Sequence, residues 1–161
     1  MDTLFTPWRF EYLTAPNDQQ ECIFCVAAGS DDLQSTLTLR ISDEVIVMMN
    51  RYPYTNGHLM VAPRQHVARL SDADQTTLHS LIRWTAAAQR ILSDLYEADG
   101  FNIGMNLGRA AGAGFADHCH MHIVPRWEGD SNFMSVTART RLVPEDLEST
   151  WQKLRPLFAE I

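Results

Sequence analysis

The chain is 161 residues long, enough for one domain with a core of its own. Hydrophobic residues make up 45% and charged residues 20%, the mix of a soluble globular protein. With 13 basic and 20 acidic side chains the net charge is −7, which argues against non-specific binding to nucleic acid or anionic membrane but leaves a small phosphorylated ligand open.

No run approaches the ~18 apolar residues that span a bilayer. The amino terminus has neither the basic nor the apolar segment of a secretory signal, so a cytoplasmic protein is expected. Cys22, Cys25 and Cys119 are too few for a disulfide scaffold.

Residues 1–21 read as an arm packed by Trp8, Phe10, Tyr12 and Leu13, running into a polar loop. Strand-like runs follow at 37–41, 45–49 and 58–62, parted by turn signals at Ser42-Asp43 and Asn56-Gly57. From 74 to 96, Leu78, Leu81, Ile82, Thr85, Ala88, Ile91, Leu92 and Leu95 recur at three and four residues, the face of a long helix. Ser71 with Asp74 offers a capping-box-like start and Gly100 a stop. Phe101, Ile103, Met105 and Leu107 alternate with small and polar residues, which predicts a strand.

A Gly/Ala-rich loop over 108–114 leads into a further strand at 118–124. The tail carries Leu147, Trp151, Leu154 and Phe158 at helical spacing, with Pro144 near its start and Pro156 near its end. The connections are mostly too short for parallel crossovers, so the expected class is α+β on an antiparallel sheet. The expected organisation is an arm over 1–21, the main domain over 22–134 and an extension with a helix over 135–161.

Three of the six histidines, His118, His120 and His122, alternate within five residues. In a strand all three imidazoles share one face, with Cys119, Met121 and Ile123 on the other. A solvated strand face accounts for one such histidine, not for three in register above an apolar opposite face. At ~3.3 Å per residue His118 and His122 lie roughly 13 Å apart, too far for one metal ion with bonds of about 2.1 Å. At least one imidazole is therefore left to act as nucleophile or proton carrier.

The Cys22-Ile23-Phe24-Cys25 run has three readings: half a zinc site, a redox dithiol, or chance. No thioredoxin-type strand–helix unit frames it, which disfavours redox chemistry. A zinc site needs two more ligands, and His66 and one triad histidine are the candidates. His79 falls at a polar position of the long helix and reads as surface. Glycines in the 108–114 loop permit close backbone approach to phosphates; an ordinary loop is the plain alternative.

His118-x-His120-x-His122-x-x-Pro125 resembles the signature of the histidine triad (HIT) superfamily. Asn50-Arg51-Tyr52-Pro53, Asn56-Gly57-His58 through Pro63-Arg64, Asn106-Leu107-Gly108 and Pro125-Arg126-Trp127-x-Gly129-Asp130-x-Asn132-Phe133 match as well. The resemblance covers about residues 4–134, and the arm and last segment are most similar to the branch acting on diadenosine tetraphosphate. It implies five antiparallel strands with a long helix, usually paired into a homodimer with a ten-stranded sheet. His120 would attack the α-phosphorus of a nucleotide and form a nucleotidyl-histidine, and His122 would contact the phosphates.

The resemblance further implies that Asn50 binds ribose, that Phe24 and Ile23 wall the base, and that His58 orients the site. Asn106, Gly112 and Gly114 fall where such proteins line the phosphates. Members with C-x-x-C bind structural zinc, which maps onto Cys22, Cys25, His66 and His118. One departure is Gly114, where many hydrolytic members have glutamine four residues before the first triad histidine. A small residue there leaves room for inorganic phosphate and leans toward phosphorolysis of dinucleoside polyphosphates. Simple hydrolysis and phosphoramidase activity are the rivals within the class. A nucleotide-sensing, zinc-stabilised binding module is the non-enzymatic alternative, and covalent labelling of His120 separates the two.

Overall fold

The computed structural model describes residues 21–130 and 145–161. The aromatics of the arm, the 131–134 part of the matching segment and Pro144 therefore lie outside the described residues. A short helix α1 (Ile23–Gly29) precedes strands β1 (Thr38–Ile41), β2 (Val45–Met49) and β3 (Leu59–Pro63). Then come the long helix α2 (Gln75–Tyr96), strands β4 (Gly100–Met105) and β5 (Met121–Arg126), and helix α3 (Leu147–Ala159). The five strands form one antiparallel sheet in the order β1-β2-β3-β5-β4.

Alternation sorts the strands onto two apolar faces. Val45, Val47, Met49, Leu59, Val61 and Ile123 pack on Leu81, Trp84, Ala88, Ile91 and Leu92 of α2, and Leu154 and Phe158 of α3 join that core. On the opposite face Ile46, Met48, Met60 and Ala62 cluster with Phe24 and Ala27 of α1. Every residue of β2 and β3 is consequently buried, which marks the centre of the sheet. The imidazole face is the α1 face, because His122 pairs with Met60 across β3. Met121 and Ile123 pack toward α2 on the other side, as alternation requires.

Beyond shifts of one or two residues at strand ends, three boundaries differ from the expected ones. The strand expected at 118–124 begins at Met121, because the Cys119 N–H bonds to the Val67 carbonyl (2.8 Å) instead of a neighbouring strand. Helix α2 is capped by Asp74, whose carboxylate accepts from the Thr77 N–H at 2.7 Å, while Ser71 lies in a separate 3₁₀ turn over Leu70–Asp72. The helix ends at Tyr96 with Glu97 in the left-handed region (φ 49°), and Gly100 opens β4 instead of stopping the helix.

Helix α3 is tied to the sheet by its apolar side and by the Trp151 indole, which donates to the Thr38 carbonyl at 3.0 Å. No helix among the described residues is long and apolar enough to cross a membrane.

Leu154 is fully buried between α3 and the sheet. Leu154→Ala is expected to lower unfolding free energy by about 2–5 kcal/mol in urea melts. Leu107→Ala, at a position 41% exposed, should stay within about 0.5 kcal/mol of the parent. Equal losses at the two positions would show that α3 does not share the core.

Candidate active site and metal site

Four side chains distant in sequence meet on the α1 face: Cys22, Cys25, His66 and His118, with ligand atoms all within 4.8 Å of one another. Cys22 Sγ lies 3.2 Å from His118 Nδ1, Cys25 Sγ 3.2 Å from His66 Nδ1, and Cys25 Sγ 3.9 Å from His118 Nδ1. Around a tetrahedral ion with bonds of about 2.1–2.3 Å, neighbouring ligand atoms stand roughly 3.4–3.8 Å apart. The three separations of 3.2, 3.2 and 3.9 Å fall on either side of that range.

Local structure explains the convergence. Cys22 caps α1 without using its thiol as the cap, so the thiol is left to face His118. The first turn of the helix brings Cys25 round to the same side. His118 Nε2 donates to the Pro63 carbonyl at 2.9 Å, which directs the Nδ1 lone pair at the thiols. Burial pushes the His118 pKa down, keeping the imidazole in its neutral, metal-ligating form. Burial and the neighbouring Cys22 push the Cys25 thiol up, a strain that a bound cation relieves by taking the thiolate. Two sulfurs and two imidazoles are the donor set of a closed zinc site, and these residues could hold such an ion.

The second cluster is a row of imidazoles. The Tyr54 N–H donates to His58 Nδ1 at 3.1 Å, so His58 carries its proton on Nε2. That Nε2 donates to His122 Nδ1 at 3.0 Å, which puts the His122 proton on Nε2. His120 Nδ1 donates to the His118 carbonyl at 2.9 Å, which leaves the lone pair of His120 on Nε2. Backbone groups thus give the two imidazoles opposite characters at Nε2: His120 a base and nucleophile, His122 a donor. Their ring centroids are 4.8 Å apart.

His120 is 5% exposed, and burial holds its pKa below the ordinary histidine value against the opposing bond to the His118 carbonyl. Beside His122 the site opens, because its cross-strand neighbour Gly104 has nothing within 4 Å of where a Cβ would stand.

The other expected site residues fall in different places. Asn50 is half-buried next to this row, its side-chain carbonyl accepting from the Tyr52 N–H at 2.9 Å and its own N–H donating to the His58 carbonyl at 3.0 Å. Ile23 packs at the edge of the α1-side cluster. Phe24 is fully buried, with ring centroids 4.9 Å from His118 and 4.8 Å from His120, so it backs the imidazoles from inside. Asn106 is half-buried just past the end of β4, and Gly112 (φ 83°) and Gly114 are exposed. Within the loop the N–H groups of Ala111, Gly112 and Ala113 donate to the Gly108 and Arg109 carbonyls, so these three are turned inward. Phe115 links the loop to the site, 6.4 Å edge-on from Phe24. His79 lies on the surface, as its helix position predicts.

Sequence reasoning missed Tyr54 and Thr55. Tyr54 supplies the N–H that sets the relay and stacks its ring 4.7 Å from His58. Thr55 Oγ1 donates to the Pro125 carbonyl at 2.9 Å, pinning the loop to β5. The Asn56-Gly57 turn signal and the proline of the triad motif flank that contact, but neither identifies it.

The HIT domain family model matches residues 34–129. An AP-4-A phosphorylase of Mycobacterium tuberculosis is 33% identical over 169 residues, covering 99% of this chain and 85% of that protein. The adenylylsulfatase HINT3 of Arabidopsis thaliana is 25% identical, covering 82% of this chain and 66% of that protein. A zinc-bound histidine triad family protein from Mycobacterium smegmatis superposes with a TM-score of 0.66 at 27% identity, over 87% of this chain and 94% of that one. The triad, its relay and a family model spanning more than half of the sequence agree: the chain belongs to the HIT family.

Proposed function

We propose that the protein cleaves dinucleoside polyphosphates, diadenosine tetraphosphate among them, through a covalent nucleotidyl-His120, and passes the nucleotide on to inorganic phosphate. The observation that carries the proposal is the tautomer pair, a buried neutral His120 with its lone pair on Nε2 beside His122 with its proton on Nε2. Similarity to an AP-4-A phosphorylase over nearly the whole chain supports the substrate class.

In the first step His120 Nε2 bonds to the α-phosphorus and the bond to the bridging oxygen breaks. The nucleoside triphosphate leaves with that electron pair. His122 Nε2–H donates to the phosphate oxygens as charge develops there. Asn50 holds ribose hydroxyls, with Ile23 toward the base and Phe24 keeping the nucleophile's ring in place. Gly112, Gly114 and Asn106 border the phosphates.

In the second step an oxygen of phosphate attacks the same phosphorus and the P–N bond breaks, returning the lone pair to His120 and releasing a nucleoside diphosphate. Water in that role would give the monophosphate. Similarity to an adenylylsulfatase fits the same first step with another leaving group. A binding module has no need of a neutral nucleophilic tautomer, which favours the enzyme over the sensor. We further propose that zinc occupies the quartet of Cys22, Cys25, His66 and His118 as a closed structural ion. The edge strand β4, with Ile103 43% exposed, is proposed to pair with a second copy in a homodimer.

His120→Ala is expected to abolish turnover by several orders of magnitude while nucleotide still binds. Its depressed pKa also sets a sign: the unfolded chain, with histidine near 6.5, binds the proton first as pH falls. Stability from this group is complete above about 6.5 and declines below it, until pH passes the folded pKa. Urea melts between pH 7.5 and 5 should show this decline, and His120→Ala should reduce it, the buried His118 supplying the remainder. Near-parental activity in the variant would refute the covalent route.

With excess phosphate, diadenosine tetraphosphate is expected to yield ADP plus ATP, and Gly114→Gln should shift products toward AMP plus ATP. Release of AMP and ATP alone by the parent protein would return the reading to simple hydrolysis.

Protein purified without added metal should contain about one zinc per chain. Cys25→Ser should lose most of it and unfold at lower temperature. Fully folded protein with less than a tenth of an equivalent would exclude the site.

A further inference from the structure

The relay that sets His122 begins in the loop between β2 and β3, and that loop rests on the far end of α2. Gly57 (φ 71°) lies so close that a Cβ there would meet Leu92 Cδ2 at 2.9 Å and the Tyr96 ring at 3.4 Å. Tyr96 is the last residue of α2, where the helix gives way to a left-handed Glu97. The Tyr96 ring packs against the core, and its hydroxyl is anchored as well. Here the anchor is Glu145, from the residue before the cap of α3.

The Tyr96 hydroxyl donates to Glu145 Oε2 at 2.7 Å, and the Thr150 hydroxyl donates to the same oxygen at 2.9 Å. Lys153 pairs with the other oxygen. The Glu145 side chain is 16% exposed; burial alone would raise its pKa, but the Lys153, Tyr96 and Thr150 contacts hold it below the usual carboxylate range. Asn56, 8% exposed, also reaches the Tyr96 hydroxyl. A small cleft joins the two sides: Asn50, Asn56, His58, Glu145 and Thr150 all line it.

We propose that Glu145 is a positioning residue for the active site, holding Tyr96 as the platform under Gly57 and so holding His58 in register with His122. His58 is 2% exposed and bonds His122 at 3.0 Å, so a loop shift of more than about half an ångström breaks that bond or turns the His122 ring. Helix α3, which supplies no group to the phosphates, thereby acts on where the His122 proton points. The kinetic part of this inference rests on the nucleotidyl-transfer reading; the spectroscopic part does not.

The test compares the full-length parent with Glu145→Ala, Glu145→Gln and Lys153→Ala. Nitrogen-15 spectra of the labelled histidine side chains report the tautomers of His58 and His122 directly. In Glu145→Ala the signature of Nε2-protonated His58 bonded to His122 Nδ1 should be lost or doubled. Turnover of diadenosine tetraphosphate should fall about 10–100-fold, with KM changed less than about threefold. Glu145→Gln keeps an acceptor oxygen for Tyr96 and Thr150 and should restore both readouts. Lys153→Ala removes only the outer partner and should leave them unchanged.

Should Glu145→Ala fail to fold at the assay temperature, Tyr96→Phe removes the hydroxyl alone and should reproduce the spectral change. A folded Glu145→Ala or Tyr96→Phe protein with parental imidazole spectra overturns the inference, as does Glu145→Gln behaving like Glu145→Ala. A parent protein that leaves diadenosine tetraphosphate intact overturns the functional reading instead, and the spectra still decide the role of Glu145.

Discussion

His118 is the group on which the other parts of the site depend, because it makes three bonds in three directions. Its Nδ1 faces the thiols of α1, its Nε2 holds the carbonyl at the end of β3, and its own carbonyl takes the proton of His120 Nδ1. A single residue therefore joins the cysteine helix to the sheet and sets the tautomer of the neighbouring His120. His118 and His120 are also only two residues apart in the chain, so a shift at the cysteine–histidine quartet reaches His120 through both the backbone and this hydrogen bond. The price of this arrangement is a buried imidazole whose pKa is depressed by desolvation.

Desolvation has opposite consequences for the two halves of the site. For His118 and His120 it disfavours the imidazolium, which keeps both rings neutral, with a lone pair on His118 Nδ1 facing the thiols and another on His120 Nε2. Phe24 contributes to that desolvation, wedged against both rings and wholly out of solvent. It sits between the two cysteines, so whatever holds Cys22 and Cys25 together also holds this ring against the triad. His122, next to open space at Gly104, is placed to meet a ligand from solvent.

The loop from Asn50 to His58 is the other half of the geometry. It enters from β2 through the Asn50 side-chain turn, is pinned to β5 by Thr55, and rests on α2 at Gly57. These contacts come from three separate elements, and their joint product is one hydrogen bond, from His58 to His122. Helix α3 belongs to the same construction, since its apolar side completes the core and Glu145, just before its cap, accepts from the Tyr96 hydroxyl at the end of α2.

Much of this was legible in the residues alone. Alternation at two and recurrence at three to four are local properties, so the strands, the long helix and the shared face of the imidazoles could be read directly. The C-x-x-C run and its partner histidines were legible as residue types, because few side chains bind a soft cation. What the sequence could not decide is which nitrogen of each imidazole carries the proton. That depends on the Pro63 carbonyl, on the Tyr54 N–H and on a chain path that leaves the sheet at Cys119.

Nor could it show that Phe24 lies wholly buried behind the imidazoles, or that Glu145 reaches Tyr96 from 49 residues away. Hydrogen-bond partners and burial belong to contacts between distant segments, and they exist only once those segments have packed.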